Sequence, residues 1–233
     1  MRGIGIDAEQ VSRFEKFAAG ERPWRLVYSP REAQHLAAQP QVARAFCAAF
    51  CCKEALYKAL GEFYSFPEFE CLYRAGAPEQ EFVLASGLQE RLGIGEVQVR
   101  IDEQFLGRRG EFVVEASLIR TAASHVGTLQ VAAVEAERGR IEEEHFSPAE
   151  VAALGSRRAQ SVAGALALKR ALVGLWADAG VPVAAVPRNF ELGHHDSGAP
   201  RLVAAPEGVA LADVYVSISH TRQWAYGLAA AAR

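Results

Sequence analysis

Four short stretches of this chain hold the residue types that chemistry on a phosphate-bearing group requires. Near the start stand Gly3-Ile4-Gly5-Ile6-Asp7-Ala8-Glu9 and Lys53-Glu54-Ala55-Leu56-Tyr57-Lys58-Ala59; near the end stand Gly198-Ala199-Pro200 and Ser217-Ile218-Ser219-His220-Thr221. The first pair supplies carboxylates, hard oxygen donors suited to Mg2+, and lysines. The second supplies hydroxyls and an imidazole that can donate to phosphate oxygens, together with a tight turn. Asp7 ends a short apolar strand, and Glu9, two residues on, faces the same side of an extended chain. Glu54 and Lys58 are four apart, one helical turn on one face. The set as a whole points to metal-assisted transfer of a phosphate-bearing group, with the two ends of the chain brought together.

The elements that must position these residues are a weak internal repeat. Tyr28-Ser29-Pro30-Arg31-Glu32-Ala33 reads like Phe146-Ser147-Pro148-Ala149-Glu150-Val151, at an offset of 118 between Ser29 and Ser147. Each is a helix start: an N-cap serine, proline at the first helical position and an acid in the first turn. Cys52-Lys53-Glu54-Ala55-Leu56 resembles Leu168-Lys169-Arg170-Ala171-Leu172 at an offset of 116, and Val97–Glu103 resembles Val214–His220 at 117. The opening strand Gly3–Glu9 is matched to a second strand at Val131–Glu137. Long apolar helices are expected over Arg44–Leu60 and Ala159–Ala179, and strands over Val97–Ile101, Phe112–Leu118, Val214–Ile218 and Trp224–Ala229. A linker is expected at Arg120–Thr128, giving lobes at 1–122 and 123–233. The fold class is α+β: two similar lobes about a pseudo-two-fold axis, each a small antiparallel sheet packed on a long helix.

Bulk properties narrow the class. The 233 residues are 50% hydrophobic and 23% charged, with a formal net charge of -3, which argues against non-specific nucleic-acid binding. An acid at Asp7 comes too early for a signal peptide, and no apolar run reaches the length of a membrane span. A soluble cytoplasmic protein is expected. Cys47, Cys51, Cys52 and Cys71 read as small buried residues of a reducing compartment. His194-His195-Asp196 reads as a polar loop, and Glu142-Glu143-Glu144 as a solvated turn.

The Gly-Ile-Asp-x-Glu opening, the Lys-Glu-Ala-x-x-Lys helix and the Ser-x-Ser-His-Thr strand end resemble the three signatures of the 4'-phosphopantetheinyl transferase superfamily. Small members, the holo-acyl-carrier-protein synthases, carry all three in a half-size chain and oligomerise; this chain resembles a fused pair. The resemblance implies a monomer with one active site between the lobes, using coenzyme A as donor and a serine of an acyl or peptidyl carrier protein as acceptor, in fatty-acid, polyketide or peptide assembly. Asp7, Glu9 and Glu54 would bind Mg2+. Glu54 would also activate the serine, directly or through a water, and Lys58 would meet the pyrophosphate. An acid beside a cation has a depressed pKa and is a weak base. Ser219 and His220 would donate to the coenzyme A phosphates. Gly198-Ala199-Pro200 matches the family's Gly-x-Pro turn, placing Pro200 by the adenine end, though Ala199 stands where the family often has Lys and Ala165 where it often has Arg. Arg13, Arg157 and Arg158 match basic positions that face the cofactor or the carrier. Arg13, Arg22 and Arg25 with Phe14, Phe17 and Trp24 are a candidate carrier patch.

A mirror site would pair Glu135, Glu137, Arg170 and Gly174 with Asp102 and Glu103. There Arg170 replaces a metal-binding acid and Glu103 replaces the histidine, so only one site is intact. The competing reading is a catalytically silent two-lobe protein that binds a carrier or another partner. A further reading, another coenzyme A enzyme such as an acyltransferase, lacks a Gly-rich phosphate loop.

Overall fold

The computed structural model describes residues 3–20, 24–61, 64–77, 80–92, 98–102, 110–119, 121–154, 158–181, 186–207 and 210–232. The chain divides into two compact units, one over Asp7–Leu118 and one over Ile119–Arg233, with the opening residues through Ile6 grouped with the second.

In the first unit, strand β1 (Ile4–Gln10) leads through a 3-10 turn into the short α1 (Glu15–Ala18). Helix α2 (Pro30–Ala37) starts at a complete capping box: Ser29 Oγ accepts the Glu32 N–H at 3.1 Å, and a Glu32 carboxylate oxygen accepts the Ser29 N–H. This is the helix-start chemistry read from Ser29-Pro30. Helix α3 (Val42–Leu60) is rich in Ala, Leu, Phe and Cys, with no Gly or Pro to break it. It ends where Gly61 turns left-handed at φ 64° and donates to Tyr57 O. A hairpin of β2 (Phe69–Leu72) and β3 (Glu81–Leu84), helix α4 (Ser86–Leu92), and strands β4 (Gln98–Asp102) and β5 (Glu111–Ser117) complete the unit. The sheet order is β1-β5-β4, with β4 and β5 antiparallel. Its core gathers Tyr28, Leu36, Phe46, Leu56, Phe69 and Phe112 around α3.

The second unit repeats that plan: β6 (Thr121–Gln130), α5 (Val131–Ala136), α6 (Arg138–His145), α7 (Pro148–Ala153), the long α8 (Arg158–Asp178), a hairpin of β7 (Glu191–His194) and β8 (Pro200–Ala204), then β9 (Val214–His220) and β10 (Trp224–Ala232). Its sheet order, β6-β10-β9, matches the first, and both pairings are antiparallel. Ser147 and Glu150 form a second complete capping box at α7. Ile6, which groups with this unit, donates its N–H to Ser217 Oγ at 3.2 Å. No helix among the described residues is long and apolar enough to cross a membrane.

Three expectations are corrected. Thr121–Gln130 is a ten-residue strand paired along β10, not linker. Val131–Ala136 is helix, not strand; the short run of Val and Ala fits either period, and the strand pairing is taken by β6. The acidic run Glu142–Glu144 lies inside α6, where Arg138 and Arg140 bridge to Glu135, Glu142 and Glu144 one turn away. With β6 as the true counterpart of β1, Gln10-Val11 aligns with Gln130-Val131 at an offset of 120, and Asp7 aligns with Gly127. The mirror position therefore has no acid, and Glu135 and Glu137 are not its ligands.

Candidate active site

Strand β1 and helix α3 bring four of the expected residues together in the first unit. Asp7 is buried near the middle of β1, and its Oδ1 accepts the Lys58 ammonium at 2.8 Å. Glu9, next on the same side of the strand, is clamped by the Arg13 guanidinium, whose side chain is 61% exposed. The residue read as facing cofactor or carrier thus sits on a neighbouring acid. The spacing of four carried that signal.

The acids are electrostatic neighbours. Burial, followed by repulsion from Asp7, holds the Glu54 carboxyl above its ordinary range; attraction to Lys58 only partly offsets this, and Glu9 adds to it. Burial likewise raises Glu9 against the pull of Arg13, with Asp7 adding repulsion. Desolvation and two neighbouring acids outweigh the one lysine; the depression expected of an acid beside a bound divalent cation is a separate effect. Glu54 is therefore a better proton acceptor than a solvated glutamate.

As a donor set the three acids suit a hard divalent cation. Among the described residues, however, no three His, Cys, Asp or Glu side chains stand gathered as a metal cage. Lys58 and Arg13 hold Asp7 and Glu9.

Lys53, adjacent to Glu54, has a different fate from the one its sequence position invites. It is fully buried, with its ammonium 2.9 Å from Glu32 Oε2 and 2.8 Å from the Phe66 carbonyl, and it also donates to the Phe69 carbonyl. Glu32 is equally buried, and its Oε1 accepts the Cys71 N–H at 2.8 Å. The Tyr64 hydroxyl donates to the Lys53 carbonyl. Sequence reading marked Glu32 as a capping acid and missed that it is also the anchor of a buried lysine.

In the second unit Ser219 is buried near the end of β9 and His220 is exposed at its tip, opposite Tyr226 and Ala225 of β10. Gly198 has φ 82° in the turn joining β7 to β8, where Gly198 N–H donates to His195 O. Pro200 opens β8 opposite His194. This is a hairpin turn, and the His194-His195-Asp196 stretch lies at its start. Arg158 opens α8; Arg157, Arg22 and Glu103 lie outside the described residues.

Solved structures similar to about half of the chain are holo-[acyl-carrier-protein] synthases. That of Helicobacter pylori, in complex with coenzyme A, is 20% identical and covers 47% of this chain and 100% of that one, with a TM-score of 0.38. That of Bacillus anthracis, in complex with CoA (3',5'-ADP), is 21% identical over 48% and 96%, at 0.40. That of Neisseria meningitidis is 20% identical over 49% and 94%, at 0.41. No curated protein matches the sequence. Residues 3–96, the stretch that carries Asp7, Glu9, Glu54 and Lys58, match the model of the 4'-phosphopantetheinyl transferase superfamily.

Proposed function

We propose that the protein transfers the 4'-phosphopantetheine group of coenzyme A to a serine of an apo acyl or peptidyl carrier protein, with Mg2+ as activator. The observation that carries this reading is the Asp7–Lys58 ion pair between β1 and α3, with Glu54 and Glu9 as electrostatic neighbours of Asp7, inside the matched segment. Mutual repulsion among these buried and half-buried acids is what a divalent cation would relieve. Asp7, Glu54 and Glu9 would hold it, in place of their present pairings of Asp7 with Lys58 and Glu9 with Arg13. Bound there, the cation would neutralise charge on the coenzyme A pyrophosphate.

The carrier serine oxygen attacks the phosphorus that bears pantetheine. A new P–O bond forms, the bond from that phosphorus to the bridging pyrophosphate oxygen breaks, and 3',5'-ADP leaves with that oxygen on its 5'-phosphate. The serine proton passes to Glu54, directly or through a water; burial and the neighbouring acids favour that protonation, and a bound cation would oppose it. Lys58, freed from Asp7, donates to the oxygens of the departing phosphate. In the same reading Ser219, His220, Arg157 and Arg158 donate to the coenzyme A phosphates, Pro200 lies by the adenine, and Arg13 joins them once it leaves Glu9. Lobes at 1–122 and 123–233 act within one chain, and the protein is a monomer in the cytoplasm. A stable trimer in sedimentation would contradict the monomer.

The ion pairs that hold Asp7 and Glu9 favour the second reading, a silent carrier-binding protein. Intact-mass analysis of a panel of apo carriers, incubated with the protein, coenzyme A and Mg2+, separates the two. Gain of one phosphopantetheinyl group, lost with chelator and in Glu54→Ala, supports the transferase. Retained coenzyme A and carrier binding without any gain supports the silent protein.

A further inference from the structure

Lys53 precedes the proposed base and is a cation in the signature stretch, yet its ammonium is wholly enclosed by protein. Its partners are the Glu32 carboxylate at 2.9 Å and the Phe66 carbonyl at 2.8 Å, with the Phe69 carbonyl as a third. Three protein acceptors satisfy all three donors of an ammonium, so none remains for a phosphate. Glu32 in turn caps α2 through the Ser29 N–H and holds β2 through the Cys71 N–H at 2.8 Å. One buried carboxylate thereby ties α2, α3 and β2 together at the turn of α3 that carries Glu54. Successive helix residues differ by about 100° in direction, so a fixed Lys53 fixes where Glu54 points.

The second unit builds the same device. Lys169 lies 2.9 Å from Glu150 and donates to the His145 carbonyl at 2.8 Å; Glu150 caps α7 through the Ser147 N–H and holds the Leu192 N–H of β7 at 2.9 Å. There the residue after the lysine is Arg170, and Gly127 stands at the position of Asp7. The device is thus duplicated, and only one copy has an acid to aim.

We propose that Lys53, held by Glu32, is a positioning residue that orients Glu54 for metal and serine, and makes no contact with coenzyme A. This rests on the transferase reading. A buried charge left alone is costly, so the test removes both: Lys53→Met/Glu32→Gln, with Lys169→Met/Glu150→Gln as the matched control. Thermal melts, transfer kinetics and Mn2+ affinity by electron paramagnetic resonance with coenzyme A present are measured on the full chain. The two doubles should lose similar stability. Only the first should weaken Mn2+ and lower kcat, each on the order of tenfold, with the KM for coenzyme A unchanged. Lys53→Arg, which keeps the charge on a longer head, should fold and show a smaller loss of the same kind, and it serves if the double does not fold. A raised KM for coenzyme A with kcat and Mn2+ affinity intact would overturn the proposal by making Lys53 a ligand contact. Equal effects from both doubles would also overturn it, by making the device purely structural. A wild-type chain that neither binds Mn2+ nor transfers would remove the transferase reading and this proposal with it.

Discussion

Replacing Gly127 by alanine should cripple the second unit. Gly127 and Gly227 stand opposite each other across β6 and β10, and both lie against the backbone of α8. A Cβ at 127 would fall 1.9 Å from the Ala167 carbonyl oxygen, and one at 227 would fall 2.1 Å from the Leu168 nitrogen. Ordinary contact begins near 3.4 Å, so strand and helix would have to part by about 1.5 Å, the difference between 3.4 and 1.9. The clash is with backbone, so no side chain can rotate away. Overpacking commonly costs 1–3 kcal/mol, and this case belongs at or beyond the upper end, about 3 kcal/mol. At roughly 4 °C per kcal/mol for a domain of this size, the melting midpoint of that unit should fall by about 12 °C. Gly139→Ala is the control: it lies in α6 with nothing within 4 Å of the new Cβ, and should stabilise by about 0.5–1 kcal/mol. Urea and thermal unfolding followed by circular dichroism would read both. A Gly127→Ala protein within about 0.5 kcal/mol of wild type would refute the packing argument. The same seam explains why the mirror position cannot carry an acid in place of Asp7.

Glu54→Gln should abolish transfer yet raise the melting temperature at pH 7. The folded protein holds the Glu54 carboxyl above its ordinary range through burial and the nearby acids, so its ionised form opposes folding, and neutralising it removes that cost; an unchanged or lower midpoint would count against it. By the same sign, the strain from Glu9, Glu32 and Glu54 is relieved as pH falls from neutrality toward their raised pKa values, so metal-free protein should gain stability there, as scanning calorimetry across pH 5–7 would register. All four cysteines are buried, and burial pushes the Cys51 and Cys52 thiols up. They should resist a thiol reagent until the protein is unfolded; rapid labelling of the native state would contradict this.

Much of this was legible because it is local. Ser29-Pro30 and Ser147-Pro148 announced their helix starts, since a cap is satisfied within four residues. Glu54 and Lys58 share a face because helix geometry dictates it. The repeat at Ser29/Ser147 and Lys53/Lys169 was likewise visible, and its two units have the same strand order. What failed was the stretch 120–137, where short runs of Val, Ala, Ser and Thr suit strand, helix or linker equally. Pairing with β10, a long-range event, decided it.

The sequence by itself determined which residue types were available, where helices begin, and which face of α3 carries an acid and a lysine. Only tertiary structure decided that Lys53 serves the core while Lys58 meets Asp7, that Arg13 holds Glu9, and that burial beside Asp7 raises the Glu54 carboxyl. Side-chain periodicity assigns a face, but whether that face meets water, a carbonyl or another charge depends on partners far away in the chain. The charges of those partners, weighed against desolvation, fix the direction of the electrostatic effect, and their distance fixes its size.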